Sequence, residues 1–178
     1  IRVFDSGKLG GAECYLTEEY IDGETLQQLV GRFPMEHIEL LCAELLRAMD
    51  FLLRKNVLHR DIKPSNVMVQ WRVDAETGAI FPHIKLLDFG LAVLGGQGDA
   101  GLAGGTRRFM APEVRLGRGS DAVSELFSLA ATVFCVVTGE PPLGEVVSPT
   151  ALLRSDPVSF EDFPPSVPPN VRGVLKRM

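Results

Sequence analysis

Three polar side chains in this chain are spaced for chemistry. Asp61 and Asn66 lie in the run His59-Arg60-Asp61-Ile62-Lys63-Pro64-Ser65-Asn66, and Asp88 lies in Leu87-Asp88-Phe89-Gly90. Between the two runs stand short apolar stretches, Val67-Met68-Val69 and Ile84-Lys85-Leu86-Leu87, whose composition predicts the two strands of a hairpin. A hairpin would bring two carboxylates and one carboxamide to the same end of a ribbon. Such a set supplies hard oxygen ligands for Mg²⁺, with one carboxylate left over to orient an attacking hydroxyl.

The rest of the chain has to position that ribbon. At 178 residues and 46% hydrophobic content it is long enough to bury the core of one domain. A net charge of -5 and the absence of a basic block argue against a nucleic-acid partner. Cys14, Cys42 and Cys135 form no CxxC and follow no signal peptide, which predicts free thiols in a reducing, cytoplasmic setting, packed as small apolar side chains. The longest apolar run, about 126–137, is too short for a membrane span and reads as a buried helix.

In chain order, 1–7 and 14–21 read as two strands joined by a glycine-containing loop. That loop lacks GxGxxG spacing and precedes no helix, so it is a hairpin connection, not a phosphate cradle. Glu24 to Arg32 reads as a short helix. Pro34 then opens a longer one to about Lys55, with Ile38, Leu41, Cys42, Leu45, Met49 and Leu52 as its buried stripe and its charged residues on a solvated face. Arg72 to Phe81 reads as an exposed link turning at Glu76-Thr77-Gly78, with Trp71 packed beside it. From Leu91 to Gly105 the chain carries six glycines and no Ser, Thr or Tyr, which predicts a flexible segment. Ser120 to Gly139 reads as a capped apolar helix, and a proline-rich stretch leads to a last helix from about Pro169. His59 beside Val57 and Leu58 reads as a packed histidine, and His37 and His83 have no partners at metal-ligand spacing.

The run from His59 to Asn66, Asp88-Phe89-Gly90 and the downstream Ala111-Pro112-Glu113 together resemble the eukaryotic-type serine/threonine protein kinases, in particular the bacterial members. The resemblance implies an α+β protein-kinase-like fold: a mostly helical large lobe, a short β-hairpin carrying the catalytic and metal loops, and an incomplete small lobe. Residues 1–21 would be the end of the small lobe and the hinge, and 22–178 a large lobe truncated before its last helices. It implies transfer of the γ-phosphoryl group of ATP, with Mg²⁺, to Ser/Thr hydroxyls of protein substrates, with no membrane segment in this chain.

Site residues implied by the resemblance follow position by position. Asp61 would orient the acceptor hydroxyl, Lys63 would neutralise the moving phosphoryl charge, and Thr106 would bridge the two. Asn66 and Asp88 would hold the metal. The Glu19 carbonyl and Ile21 amide would meet adenine above a floor made by Met68. His59 and Phe89 would belong to an internal stack behind the site, and Glu113 would pair with an arginine near the end of the large lobe. Glu18 stands where an apolar or small residue usually backs the adenine pocket, and Glu125 where an Asp usually holds the catalytic loop. A phosphate in the 91–105 segment often pairs with the arginine before the catalytic Asp, here Arg60, and this sequence offers no acceptor for one. The glycine-rich loop, strand Lys and helix Glu that grip nucleotide phosphates in the family do not occur in these residues, so the chain alone is expected to show little activity. The alternative is a non-catalytic, kinase-like module that binds or regulates a partner.

Overall fold

A computed structural model describes residues 1–11, 13–94, 106–142 and 163–175. Strands β1 (Val3–Leu9) and β2 (Glu13–Glu18) form an antiparallel ribbon. Strands β3 (Glu24–Thr25), β5 (Val67–Val73) and β6 (Ile80–Leu86) form a three-stranded antiparallel sheet in that order. The two-residue strand β4 (Val57–Leu58) pairs with β7 (Val93–Leu94). The α-helices among the described residues are α1 (Ile38–Arg54), α2 (Pro112–Arg115), α3 (Ala122–Thr138) and α4 (Pro169–Leu175), and single 3-10 turns lie at Met35–His37, Pro64–Asn66 and Arg107–Phe109.

Helix α1 is amphipathic as its sequence predicts. Ile38, Leu41, Leu45 and Met49 recur every three or four residues and are buried as one stripe. Full burial of each such side chain contributes on the order of 1.5–3 kcal/mol. The helix stops where Asn56 takes a left-handed φ of 57°, a conformation that Asn tolerates better than most residues.

Helix α3 is buried on nearly every side, from Phe127 through Val137. Its start is fixed by a capping box: Asp121 Oδ1 accepts from the amides of Val123 and Ser124, and Ser124 Oγ accepts from the amide of Asp121. Ser128 and Thr132 are tolerated inside because each hydroxyl donates to the carbonyl four residues back. The cap places Glu125 on the first turn, aimed at the loop that follows β4. α3 therefore acts as the post on which that loop hangs.

Cys14 is exposed on β2, where the sequence predicts a packed side chain, and two expectations about the course of the chain also need correction. Residues 24–32 are not a helix: Glu24 and Thr25 pair with Val69 and Met68 of β5, and the chain beyond them turns. Backbone partners elsewhere draw these residues away from helical bonding, since the Leu26 amide donates to Val67 O, Gln27 to Pro64 O and Gly31 to Val136 O. Gly23 makes the approach possible, because a Cβ there would lie 2.5 Å from the carbonyl oxygen of Val69. The second correction concerns the hairpin. Its strands run on to Val73 and Ile80, so the link is only 74–79 and is closed by Asp74, whose Oδ1 accepts from the amides of Glu76 and Thr77. Trp71 stacks on Phe33 with ring centres 5.9 Å apart, the packing role expected of it.

Along β5 and β6 the pleat separates two jobs. Val67, Val69, Ile84 and Leu86 point into the core, while Met68 and Lys85, paired across the strands, share the opposite face. Most of the glycine-rich segment, residues 95–105, lies outside the described residues, as does 176–178 at the end of the last predicted helix.

Candidate active site

The loop after β4 bends sharply at Arg60, whose φ of 69° is costly for a residue with a side chain. Glu125 holds the bend from below. Its Oε2 accepts from the His59 amide and its Oε1 from the Arg60 amide, both at 2.8 Å. Burial pushes the Glu125 carboxyl above its ordinary range, and the two amides pull the other way less strongly.

His59 fixes the loop from the side. The ring is fully buried; Nδ1 accepts from the Asp61 amide at 3.3 Å, which makes Nε2 the protonated nitrogen that donates to Leu87 O at 2.9 Å. Burial holds the imidazole below its usual pKa, so it is neutral at pH 7. Phe89 packs against it at 4.8 Å between ring centres but stays 38% exposed, so it closes the stack from one side only.

On this support four polar residues converge. Lys63 Nζ lies 2.6 Å from Asp61 Oδ2 and donates to Thr106 Oγ1 at 2.8 Å, while the Thr106 amide donates to Asp61 Oδ1 at 3.1 Å. Asn66 Nδ2 donates to both the carbonyl and Oδ2 of Asp61, at 2.9 and 3.0 Å. Asp61 is buried with 8% exposure, so these bonds offset much of the cost of keeping a carboxylate there. Since both amide hydrogens of Asn66 face Asp61, its Oδ1 is left as an acceptor.

Asn66 and Asp88 line one cleft of about 720 Å³, together with Glu18, Leu87, Phe89 and Gly90. Asp88 sits at φ 60° with Oδ1 accepting from the Gly90 amide at 3.1 Å, and a Cβ at Gly90 would crowd that oxygen at 3.0 Å. Among the described residues, no three His, Cys, Asp or Glu side chains converge as a metal-ligand cluster. One carboxylate and one carboxamide facing an open cleft fit Mg²⁺, which keeps several waters and completes its shell with phosphate oxygens.

A neighbouring hollow of about 260 Å³ is lined by Glu18, Glu19, Tyr20, Ile21, Met68 and Leu87. It unites the three residues expected to meet adenine. The Glu19 side chain is held by contacts that sequence reasoning missed: it accepts from Lys85 Nζ at 2.7 Å and from the Arg2 amide at 2.9 Å, and the Lys85 contact holds its carboxyl below the usual range. Leu87, which lines both hollows, was also missed; its place next to Asp88 was the available signal. Arg115, two residues beyond Glu113, is engaged with the carbonyl of Arg107 and not with that carboxylate.

A family model described as the protein kinase domain matches residues 2–156. Serine/threonine-protein kinase PknB of Mycolicibacterium smegmatis is 32% identical over 192 residues, covering 98% of this chain and 29% of the relative. PknB of Mycobacterium tuberculosis is 32% identical over 175 residues, with 89% of this chain and 26% of the relative covered. A probable serine/threonine-protein kinase of Streptomyces coelicolor is 31% identical over 177 residues, covering 90% and 24%. The chain thus spans less than a third of the length of these relatives.

Proposed function

Because this chain belongs to the protein kinase family, we propose that it carries the acceptor and metal side of a serine/threonine kinase acting on protein substrates in the cytoplasm. In this reading 1–21 is the hinge-side end of a small lobe and 22–178 the large lobe. The observation that carries the function is the closed set Asp61, Lys63, Asn66 and Thr106.

Asp61 accepts the hydrogen bond of a Ser or Thr hydroxyl and takes its proton as the new P–O bond forms and the bond from the γ-phosphorus to the bridging oxygen breaks, with ADP as the leaving group. Positioned general-base help of this kind is worth about 10²–10⁴-fold. Lys63, tied to both Asp61 and Thr106, sits where it can neutralise charge on the transferring group. Thr106 fixes the ammonium and, through its amide, the rotamer of Asp61. Asn66 Oδ1 and the Asp88 carboxylate would hold Mg²⁺, and the Glu19 carbonyl and Ile21 amide would meet adenine over Met68. When bound, Mg²⁺-ATP supplies the phosphoryl group and the charge that offsets its oxygens. The convergence of all four polar groups favours turnover over a binding-only module, which has no chemical need of them.

The test is phosphotransfer by the full-length protein from γ-labelled ATP to Ser/Thr and Tyr peptides, with and without chelator. Label on Ser/Thr, abolished by chelation, is the expected result. Label on neither peptide would contradict the proposal.

A further inference from the structure

In the kinases that this chain resembles, an activating phosphate pairs with the arginine before the catalytic Asp, here Arg60, and in this structure the Nε and amide of Arg60 already have partners. Its Nε donates to Ser120 Oγ at 2.8 Å, while its amide is held by Glu125. Ser120 immediately precedes Asp121, the N-cap of α3, so both anchors of Arg60 come from the same end of the same buried helix. One holds the backbone and the other the side chain.

The space beside this contact is narrow. Arg60, Ser120, Ser124, Glu125 and Ser128 line a cavity of about 10 Å³, with Met110, Ala111 and Val114 as its other wall. That volume takes at most one water and is far too small for a phosphate group. The apolar wall belongs to the segment that follows Thr106, so that segment packs beside the contact between the catalytic loop and the start of α3. Residues 91–105 contain no hydroxyl that could carry a phosphate.

We propose that Ser120 is a positioning residue: its hydroxyl latches Arg60, keeps the loop in the left-handed bend that presents Asp61, and so takes the place of an activating phosphate. The latch rests on the kinase reading only for its consequence for turnover. Its structural part is independent, because Arg60 at φ 69° needs an external constraint whatever the protein does.

Ser120→Ala, Ser120→Thr and, as a surface control at the same helix start, the exposed Val123→Ala separate the possibilities. Amide hydrogen exchange on the 178-residue chain reports the loop directly. The latch predicts that Ser120→Ala speeds exchange at His59, Arg60 and Asp61 by about tenfold, as expected for loss of one hydrogen bond to a charged group. Ser120→Thr restores protection and Val123→Ala leaves it unchanged. In the full-length protein kcat falls by a similar factor in Ser120→Ala, KM for nucleotide stays within about twofold, and phosphatase treatment leaves wild-type turnover intact. Wild-type exchange and kcat in Ser120→Ala would overturn the latch, as would loss of wild-type activity on phosphatase treatment. A wild-type protein with no phosphotransfer, but with the exchange effect of Ser120→Ala present, would support the latch and sink the kinase reading alone.

Discussion

The backbone amide of Thr106 donates to Asp61 Oδ1 at 3.1 Å, across 45 residues of sequence. Asp61 Oδ2 is occupied by Lys63 and Asn66, so the amide of Thr106 sets which way the carboxylate faces. The Thr106 hydroxyl meanwhile accepts from Lys63.

Thr106→Val keeps the shape and the amide but removes the acceptor for Lys63. One hydrogen bond to a charged group is worth about 1.5–3 kcal/mol. The expected outcome is a fall of roughly tenfold or more in kcat/KM for the protein substrate, with nucleotide affinity unchanged. Steady-state kinetics on both substrates checks it.

Glu125→Gln replaces two accepting oxygens by one oxygen and one NH₂ group, which cannot serve the amides of both His59 and Arg60. One buried donor is orphaned, at a cost of about 1–3 kcal/mol. For a chain of this size the melting temperature should drop by roughly 2–4 °C per kcal/mol. Calorimetry on the variant decides, and an unchanged melting temperature would show that Glu125 does not bear the loop.

The buried His59 makes the fold sensitive to mild acid. Burial lowers its pKa in the folded state, whereas the unfolded chain takes up the proton near 6.5. Below that value the unfolded state holds more protons, so stability is complete above about pH 6.5 and declines as pH falls toward the folded pKa, by up to about 1.4 kcal/mol per pH unit for one proton. Protonation of Nδ1 also breaks the bond from the Asp61 amide. His83 shifts the same way, but it is partly exposed and contributes less. Glu125, whose raised pKa favours the folded state as pH falls, works in the opposite direction. Denaturant melts of wild type and His59→Gln between pH 7.5 and 5.5 isolate the term: the wild type should show the steeper loss, and parallel slopes would refute it.

Asp88→Asn removes the only formal negative charge of the proposed metal pair. In the wild type, Mg²⁺-ATP at 100 times its Kd should stabilise the fold by about 2.7 kcal/mol. The variant should lose the Mg²⁺-dependent part of that shift while its melting temperature without ligand changes little. An undiminished Mg²⁺ effect would move the metal elsewhere.

Much of the candidate site was legible because its chemistry is local in sequence. Asp61, Lys63 and Asn66 share one loop, and Asp88 follows the strand that pairs with the next, so motif and hairpin together predict their meeting. The periodic stripe of α1 was equally plain, since burial dictates its spacing. What escaped the sequence depends on distant backbone. Residues 24–32 carry helix-forming side chains, but the amides of Leu26, Gln27 and Gly31 are claimed by Val67, Pro64 and Val136, and no local propensity reveals that. The same holds for the pairs Glu19–Lys85 and Arg60–Ser120, in which ordinary surface residue types acquire roles through partners about sixty residues away.

Phosphotransfer by the Asp61→Asn variant of the full-length protein is the most direct test of the account. Asn is isosteric and keeps one accepting oxygen, enough for the Thr106 amide or for Lys63 and Asn66 but not for both sides, and it cannot take a proton from the acceptor hydroxyl. The account predicts turnover reduced by about 10²-fold or more, with Mg²⁺-ATP binding near that of the wild type and a folded protein that melts a few degrees lower at most. Undiminished turnover in Asp61→Asn would contradict it.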